Sequence, residues 1–228
     1  SDWSSDVCSS DLTIEAKTNL KIDHYVEVSF AGFTGVVDAL GGIQVCSKVA
    51  INDPKSHLIM SAGSHVLGGI EALKYVRTRD FDGRGDIGRM ERQQQFVSAV
   101  LRKATSSGVL LNPIKMAKFY NATISTVKMD SSVNKNDLLT LAKQMRNLSS
   151  GNVRTLTVPL SDPNGNVPGV GSVVIWDDVL ATDLWTRIRN DEALVETIKP
   201  SAKATTKPVM VDKFKTKTAA DNPCATSK

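Results

Sequence analysis

Polar and apolar residues alternate from His24 to Phe30 (HYVEVSF), through Tyr25, Val26, Glu27 and Val28, which is the period of a half-buried strand. From Ala31 to Leu40 the spacing becomes helical, with Phe33, Val37 and Leu40 on one side, and Gly41-Gly42 ends that helix. Ile43 to Cys46 is a second short strand, so strand, helix and strand follow one another as in α/β layering. Residues 47–67 read as a long irregular connection, rich in Ser, Gly and Asp, with apolar Leu58, Ile59 and Met60 in its middle. Gly69 to Val76 is a short helix. A longer one opens at or near Asp86 and runs to about Thr105, with Ile87, Met90, Gln94, Val97 and Leu101 near a core face and Asp86, Arg89, Gln93 and Phe96 on another. Asn112-Pro113 starts a further helix carrying Ile114, Ala117, Phe119, Ile124 and Val127, and Asn134 or Asn136 caps one carrying Leu138, Leu139, Leu141, Met145 and Leu148. Val153 to Pro159 is a strand, Ser161 to Gly171 a loop, Ser172 to Trp176 a strand, and Asp177 to about Arg189 a last helix, with Trp176, Leu184 and Trp185 at a buried sheet edge. Thr13 to Leu20 reads as the end of a helix.

Composition changes the picture mainly at the ends. With 228 residues, 41% of them hydrophobic and 23% charged, the chain can bury a core as one large domain or two. The first twelve residues, SDWSSDVCSSDL, contain no basic residue, apolar run or periodicity, so they are neither a signal peptide nor an anchor. They resemble the translation of a sequencing adapter and are expected to be an artefactual leader, residues 1–12. Setting aside its three aspartates leaves 21 acidic residues against 28 basic ones, and the net charge rises from +4 to +7. A basic surface suits an anionic partner, and no helix-turn-helix or aromatic-interleaved basic patch makes that partner a nucleic acid. No run of about 18 uncharged apolar residues exists to cross a membrane as a helix. Residues 191–228, rich in Lys, Thr, Ala and Pro, read as a mobile tail. His24 stands at a strand start with no second His or Cys beside it, which favours a structural role over a catalytic one.

The densest chemistry lies in Tyr75 to Phe96, YVRTRDFDGRGDIGRMERQQQF. Arg77, Arg79, Arg84, Arg89 and Arg92 alternate there with Asp80, Asp82 and Asp86, and the amides Gln93, Gln94 and Gln95 follow. Planar guanidinium groups beside a Gly-rich turn and a helix start suit the oxygens of a phosphate or pyrophosphate. The same alternation also describes a solvated lattice of salt bridges, and composition leaves both open.

This motif, with IDHYVEVSFAGFTGVVDALGGIQV before it and VPGVGSVVIWDD after it, resembles the LytR-CpsA-Psr family of cell-wall glycopolymer ligases over residues 13–190. The resemblance implies an α/β fold, an α/β/α sandwich with a central mixed sheet and a hydrophobic lipid pocket, with residues 13–190 as a partial catalytic domain whose N-terminal part is missing. It further implies a phosphotransferase on the extracytoplasmic face of the cell membrane of a Gram-positive bacterium, held there by an anchor absent from this sequence. Such an enzyme takes a glycopolymer from a polyprenyl-pyrophosphate carrier and joins it to peptidoglycan, with pyrophosphatase action as a possible side reaction. On the matching positions Arg77, Arg79, Arg89, Gln93 and Arg92 would bind substrate, and Arg77, Arg79, Asp86 and Arg89 would serve catalysis. Asp86 would orient the arginines or handle the acceptor proton. Mg²⁺ is implied as cofactor, with ligands ahead of Thr13 and none within the chain, so the chain by itself is expected to be inactive. Leu58 to Met60 and the later apolar helix stripes either line a lipid channel or form ordinary core. Cys46 and Cys224, in a protein the resemblance places outside the membrane, are either a disulfide tying the tail to the domain or two free thiols. A transcriptional attenuator and a non-catalytic binder of polyprenyl phosphate are the competing functions.

Overall fold

The computed structural model describes residues 3–106, 127–134, 136–137, 140–141, 144, 151–198, 209–221 and 224. Two compact units are present, one of Ser1–Asp23 with Leu156–Thr216 and a larger one of His24–Thr155 with Lys217–Lys228.

The larger unit contains the arginine motif. Strand β1 (Val26–Val28) leads into helix α2 (Phe30–Ala39), whose first turn is capped by Ser29 Oγ accepting the N–H of Gly32 at 3.1 Å. Gly41 and Gly42 then turn the chain with φ of +73° and +84°, a conformation that costs most side chains dearly. Strand β2 (Ile43–Ser47) pairs antiparallel with β5 (Gly63–Leu67), Ile43 opposite Leu67, and a β3 (Ile51–Asp53)–β4 (Leu58–Met60) hairpin lies between them in sequence. The expected irregular connection over 47–67 is therefore corrected to ordered strands, too short to carry a readable period. Leu58 and Met60 are core residues, which fits the reading of this run as ordinary core; Ile59 between them faces out.

Helix α3 (Gly69–Arg77) lies against α2 at backbone distance: a Cβ on Gly69 would sit 2.5 Å from the carbonyl oxygen of Thr34. Asp38 caps α3 by accepting the N–H of Gly69 at 2.7 Å. Helix α4 (Gly85–Ser106) closes the core, with Phe96 stacked against Phe33 at 5.3 Å between ring centroids. Its inward face differs from the expected one. Phe96, Ala99 and Arg92 are buried and Val97 is 52% exposed, because an arginine occupies a core-facing position that a hydrophobicity pattern assigns to solvent. Val127, expected on a helix, begins β6 (Val127–Met129), which pairs antiparallel with β1. His24 Nδ1 lies 3.3 Å from Asp130 Oδ2 beside that pair, a structural contact. β7 (Arg154–Thr155) pairs with β12 (Lys217–Thr218), Arg102 donates to the carbonyls of Ala219 and Asp221 at 2.7 and 3.0 Å, and Cys46 is disulfide-bonded to Cys224. The disulfide alternative is the one realised.

In the smaller unit, α1 (Trp3–Thr18) continues back through most of the leader segment, and Arg189 closes its C-terminal end by donating to the carbonyls of Asn19 and Thr18 at 3.0 and 3.1 Å. The expected loop Ser161–Gly171 is largely strand: β8 (Leu160–Val167) and β9 (Gly171–Trp176) form a bulged hairpin. Helix α5 (Asp178–Arg189), capped by Asp177 on the N–H of Leu180, buries Leu184 completely and sets Trp185 5.9 Å from Trp176. Within the stretch read as a mobile tail, the described residues carry strands and turns. β10 (Glu196–Ile198) pairs with β11 (Val209–Val211), Phe214 is buried, and Asp212 holds a turn by accepting the N–H groups of Phe214 and Thr216. Lys/Thr/Pro composition hides strands of two or three residues.

The fold is α/β, as expected. Among the described residues the strands pair antiparallel in two-stranded sheets, so the central mixed sheet is not among them. No described helix is long and apolar enough to cross a membrane. The helix stripes over residues 112–126 and most of 138–148 lie outside the described residues; Leu141, within the second, is exposed.

Candidate functional site

Asp53, the last residue of β3, builds the site from two directions. Its Oδ1 accepts the N–H groups of Lys55 and Ser56 at 2.8 and 3.2 Å, and its Oδ2 those of Arg79 and Asp80 at 2.6 and 3.1 Å. One carboxylate thereby fixes the β3–β4 turn to the segment leaving α3. Burial alone would push its carboxyl up, but the four N–H groups prevail and lower it to about 2. Below it, Ser56 Oγ and Thr78 Oγ1 lie 3.2 Å apart in buried positions.

The turn from Thr78 to Arg84 is braced by Arg92. Its guanidinium donates to Asp82 Oδ2 at 2.9 Å and to the Thr78 carbonyl at 2.6 Å, and lies over the Phe81 ring at 4.7 Å. Burial disfavours the ionised Asp82, yet the N–H of Arg84 and the guanidinium of Arg92 outweigh it and its pKa falls below the usual carboxylate value. Arg84 reaches outward to Glu91 at 2.8 Å. Arg92, expected to bind substrate, is thus consumed in holding the loop at 5% exposure, its two terminal nitrogens engaged by Asp82 and the Thr78 carbonyl. Gly88 sits at the same joint, where a Cβ would meet Asp82 Oδ2 at 3.0 Å and Arg92 Nη1 at 3.2 Å. Gly88→Ala should cost about 1–3 kcal/mol by overpacking, read as a lowered denaturation midpoint; an unchanged midpoint would mean that the joint yields freely.

With the loop so held, Arg77, Arg79, Arg89 and Gln93 converge. Together with Lys55, Ser56 and Met90 they line one cavity of about 330 Å³. Asp86 Oδ1 receives Arg79 Nε at 3.2 Å and Arg89 Nη2 at 2.9 Å, so the carboxylate aligns two guanidinium groups. Arg77, at the end of α3, lies over the Phe30 ring at 5.2 Å, and Gln93 Nε2 donates to the carbonyl of Val76 at 3.1 Å. Lys55 Nζ pairs with Asp80 at 2.5 Å. Four cations against two carboxylates leave the cavity positive, which is the charge a phosphate or pyrophosphate requires. The structure brings Arg77, Arg79, Asp86, Arg89 and Gln93 together and leaves Arg92 out.

Asp53, Lys55 and Ser56 escaped the sequence reading. Asp53-Pro54 is a turn-initiating pair, but nothing local announces that its second oxygen reaches residues 79 and 80. The implied Mg²⁺ finds no fit among the described residues: Asp53 is saturated by backbone donors, Asp80 and Asp86 by cations, and no cluster of three or more candidate ligands occurs.

The sequence profile of the LytR_cpsA_psr family matches residues 10–206. The chain belongs to this family. It is 37% identical to the cell wall biosynthesis protein LcpA of Corynebacterium glutamicum over 160 residues, which are 70% of this chain and 30% of that protein. It is 39% identical over 109 residues to the polyisoprenyl-teichoic acid–peptidoglycan teichoic acid transferase TagU of Bacillus cereus, covering 45% of this chain and 35% of TagU. The crystal structure of TagV from B. subtilis superposes with a TM-score of 0.66 at 25% identity, over 81% of this chain and 70% of TagV. The chain thus spans well under half the length of either curated relative.

Proposed function

We propose that this LytR_cpsA_psr chain carries the phosphate-gripping part of an extracytoplasmic, membrane-associated phosphotransferase that moves a glycopolymer from a polyprenyl-pyrophosphate carrier to peptidoglycan. The observation that supports it is the convergence of Arg77, Arg79, Arg89 and Gln93 on one cavity, with Asp86 aligning two of the guanidinium groups. The names of the relatives, one a cell wall biosynthesis protein and one a teichoic acid transferase, point the same way.

In this reading the pyrophosphate lies among the three arginines. A peptidoglycan hydroxyl attacks the sugar-proximal phosphorus, the bond to the bridging oxygen breaks, and polyprenyl phosphate departs with the hydroxyl's proton on its new terminal oxygen. The guanidinium groups neutralise charge on the equatorial and bridging oxygens as it shifts, which is the main demand of phosphoryl transfer. Asp86 acts as an orienting group. Phe30 and Met90 supply apolar surface at the rim, where the first isoprene units of the carrier would lie.

Isothermal titration with farnesyl pyrophosphate tests this. Binding should be measurable, should vanish when farnesol replaces the pyrophosphate, and should weaken about tenfold in each of Arg77→Ala, Arg79→Ala and Arg89→Ala, a half-exposed charged hydrogen bond contributing about 1.5 kcal/mol. Equal affinity in all three variants would remove the basis of the proposal.

A further inference from the structure

Helix α4 borders a second cavity that the pyrophosphate reading does not use. At roughly 100° of rotation per residue, Gln95 and Ser98 point roughly half a turn away from the Arg89 and Gln93 side of the helix, with Met90 and Gln94 between the two sides. Gln94, Gln95 and Ser98 meet the β7–β12 pair and the residue following β2, enclosing about 310 Å³. That is the size of a small ligand site.

Every lining residue carries a polar group. Gln94 and Gln95 bring amides, Ser98, Thr155 and Thr218 bring hydroxyls, and Lys48, Lys217 and Asp221 bring charge. With no aromatic and no wholly aliphatic residue in its lining, it is poorly made for an isoprenoid. Amides and hydroxyls, each both donor and acceptor, match the vicinal hydroxyls of a sugar instead. Ser98, only 5% exposed, sets a nearly buried side chain into the cavity wall. Two lysines against one aspartate leave the site with net positive charge, which selects a saccharide that carries a carboxylate or phosphate.

The frame is rigid. Asp221 Oδ2 accepts the N–H of Thr218 at 2.7 Å, Arg102 holds the carbonyls of Ala219 and Asp221, and the Cys46–Cys224 disulfide fastens the same segment to β2. A wall so fastened is preorganised for a ligand.

We propose that this cavity is a saccharide subsite for an anionic sugar unit, one helix away from the pyrophosphate cavity. The sugar comes either from the acceptor glycan or from the polymer being transferred; that choice rests on the transferase reading, whereas the existence of the subsite does not. The test is amide NMR titration of the full chain with two probes, the disaccharide N-acetylglucosaminyl-N-acetylmuramic acid and a short oligomer of phosphodiester-linked hexoses. Shifts at Gln94, Gln95, Ser98 and Thr218 with the first probe assign the site to the acceptor, and with the second to the transferred polymer. Gln95→Ala and Lys217→Ala should each weaken that binding about fivefold or more while farnesyl pyrophosphate affinity stays unchanged. Arg89→Ala should do the reverse, so failure of one reading leaves the other standing. No shift at these residues with either probe, or shifts that both variants leave untouched, would overturn the subsite.

Discussion

Asp53→Asn should lower the stability of the chain by about 2–4 kcal/mol, the cost of leaving buried donors unpaired around a lost charge. An asparagine offers one acceptor oxygen and turns an NH₂ group toward backbone N–H groups that the native carboxylate receives four at a time. For a chain of this size the loss corresponds to roughly 5–15 °C in Tm. The native carboxyl titrates at about 2, below the 3.8 of the free group. Its contribution is therefore complete above pH about 4, declines as pH falls through the folded value near 2, and does not change between pH 5 and 7. The wild type should lose stability across that acid window more steeply than Asp53→Asn. Circular dichroism melts from pH 7 to pH 2 read both effects, and coincident curves for the two proteins would show that Asp53 does not hold the site. Farnesyl pyrophosphate affinity should fall too, because Lys55, Ser56 and Arg79 lose their common support.

Breaking the Cys46–Cys224 bond should have an effect of similar size. The bridge closes a sequence separation of 178 residues, and loops that long restrict the unfolded chain enough to contribute about 2–5 kcal/mol. The double variant Cys46→Ala/Cys224→Ala, or reduction of the wild type by dithiothreitol, should lower Tm by roughly 5–15 °C. A thiol assay in denaturant without reductant should find two fewer thiols than after reduction. Identical melts with and without dithiothreitol would show that the segment 217–224 is held by Arg102 and the β7–β12 pair alone. Because the saccharide subsite is walled by the same segment, its ligand should weaken on reduction while the arginine cavity, framed by Asp53 and Arg92, keeps its affinity.

Much of the functional centre was legible because its signals are local. The steps from Asp86 to Arg89 to Gln93 place three side chains on one helix face whatever surrounds the helix. Gly41-Gly42 marks a chain reversal because only glycine tolerates successive left-handed conformations cheaply. The resemblance named the family through a motif of consecutive residues, and the profile match over residues 10–206 bears it out. The strands in the long connection over 47–67 and those described beyond residue 191 went unread for a common reason: strands of two to five residues show too few alternations to rise above their composition.

What the sequence determined by itself was the chemistry: which guanidinium groups exist, at what helical spacing, and beside which turn. Tertiary structure decided which of them meet a ligand. Arg89 and Arg92 sit three residues apart on α4, yet one faces the cavity and the other is spent on Asp82, Thr78 and Phe81. That difference is set by where the loop from Thr78 to Arg84 folds back, which Asp53 fixes across a sequence separation of 26. Contacts of that range depend on the closing of the whole core, and no pattern within the motif encodes them.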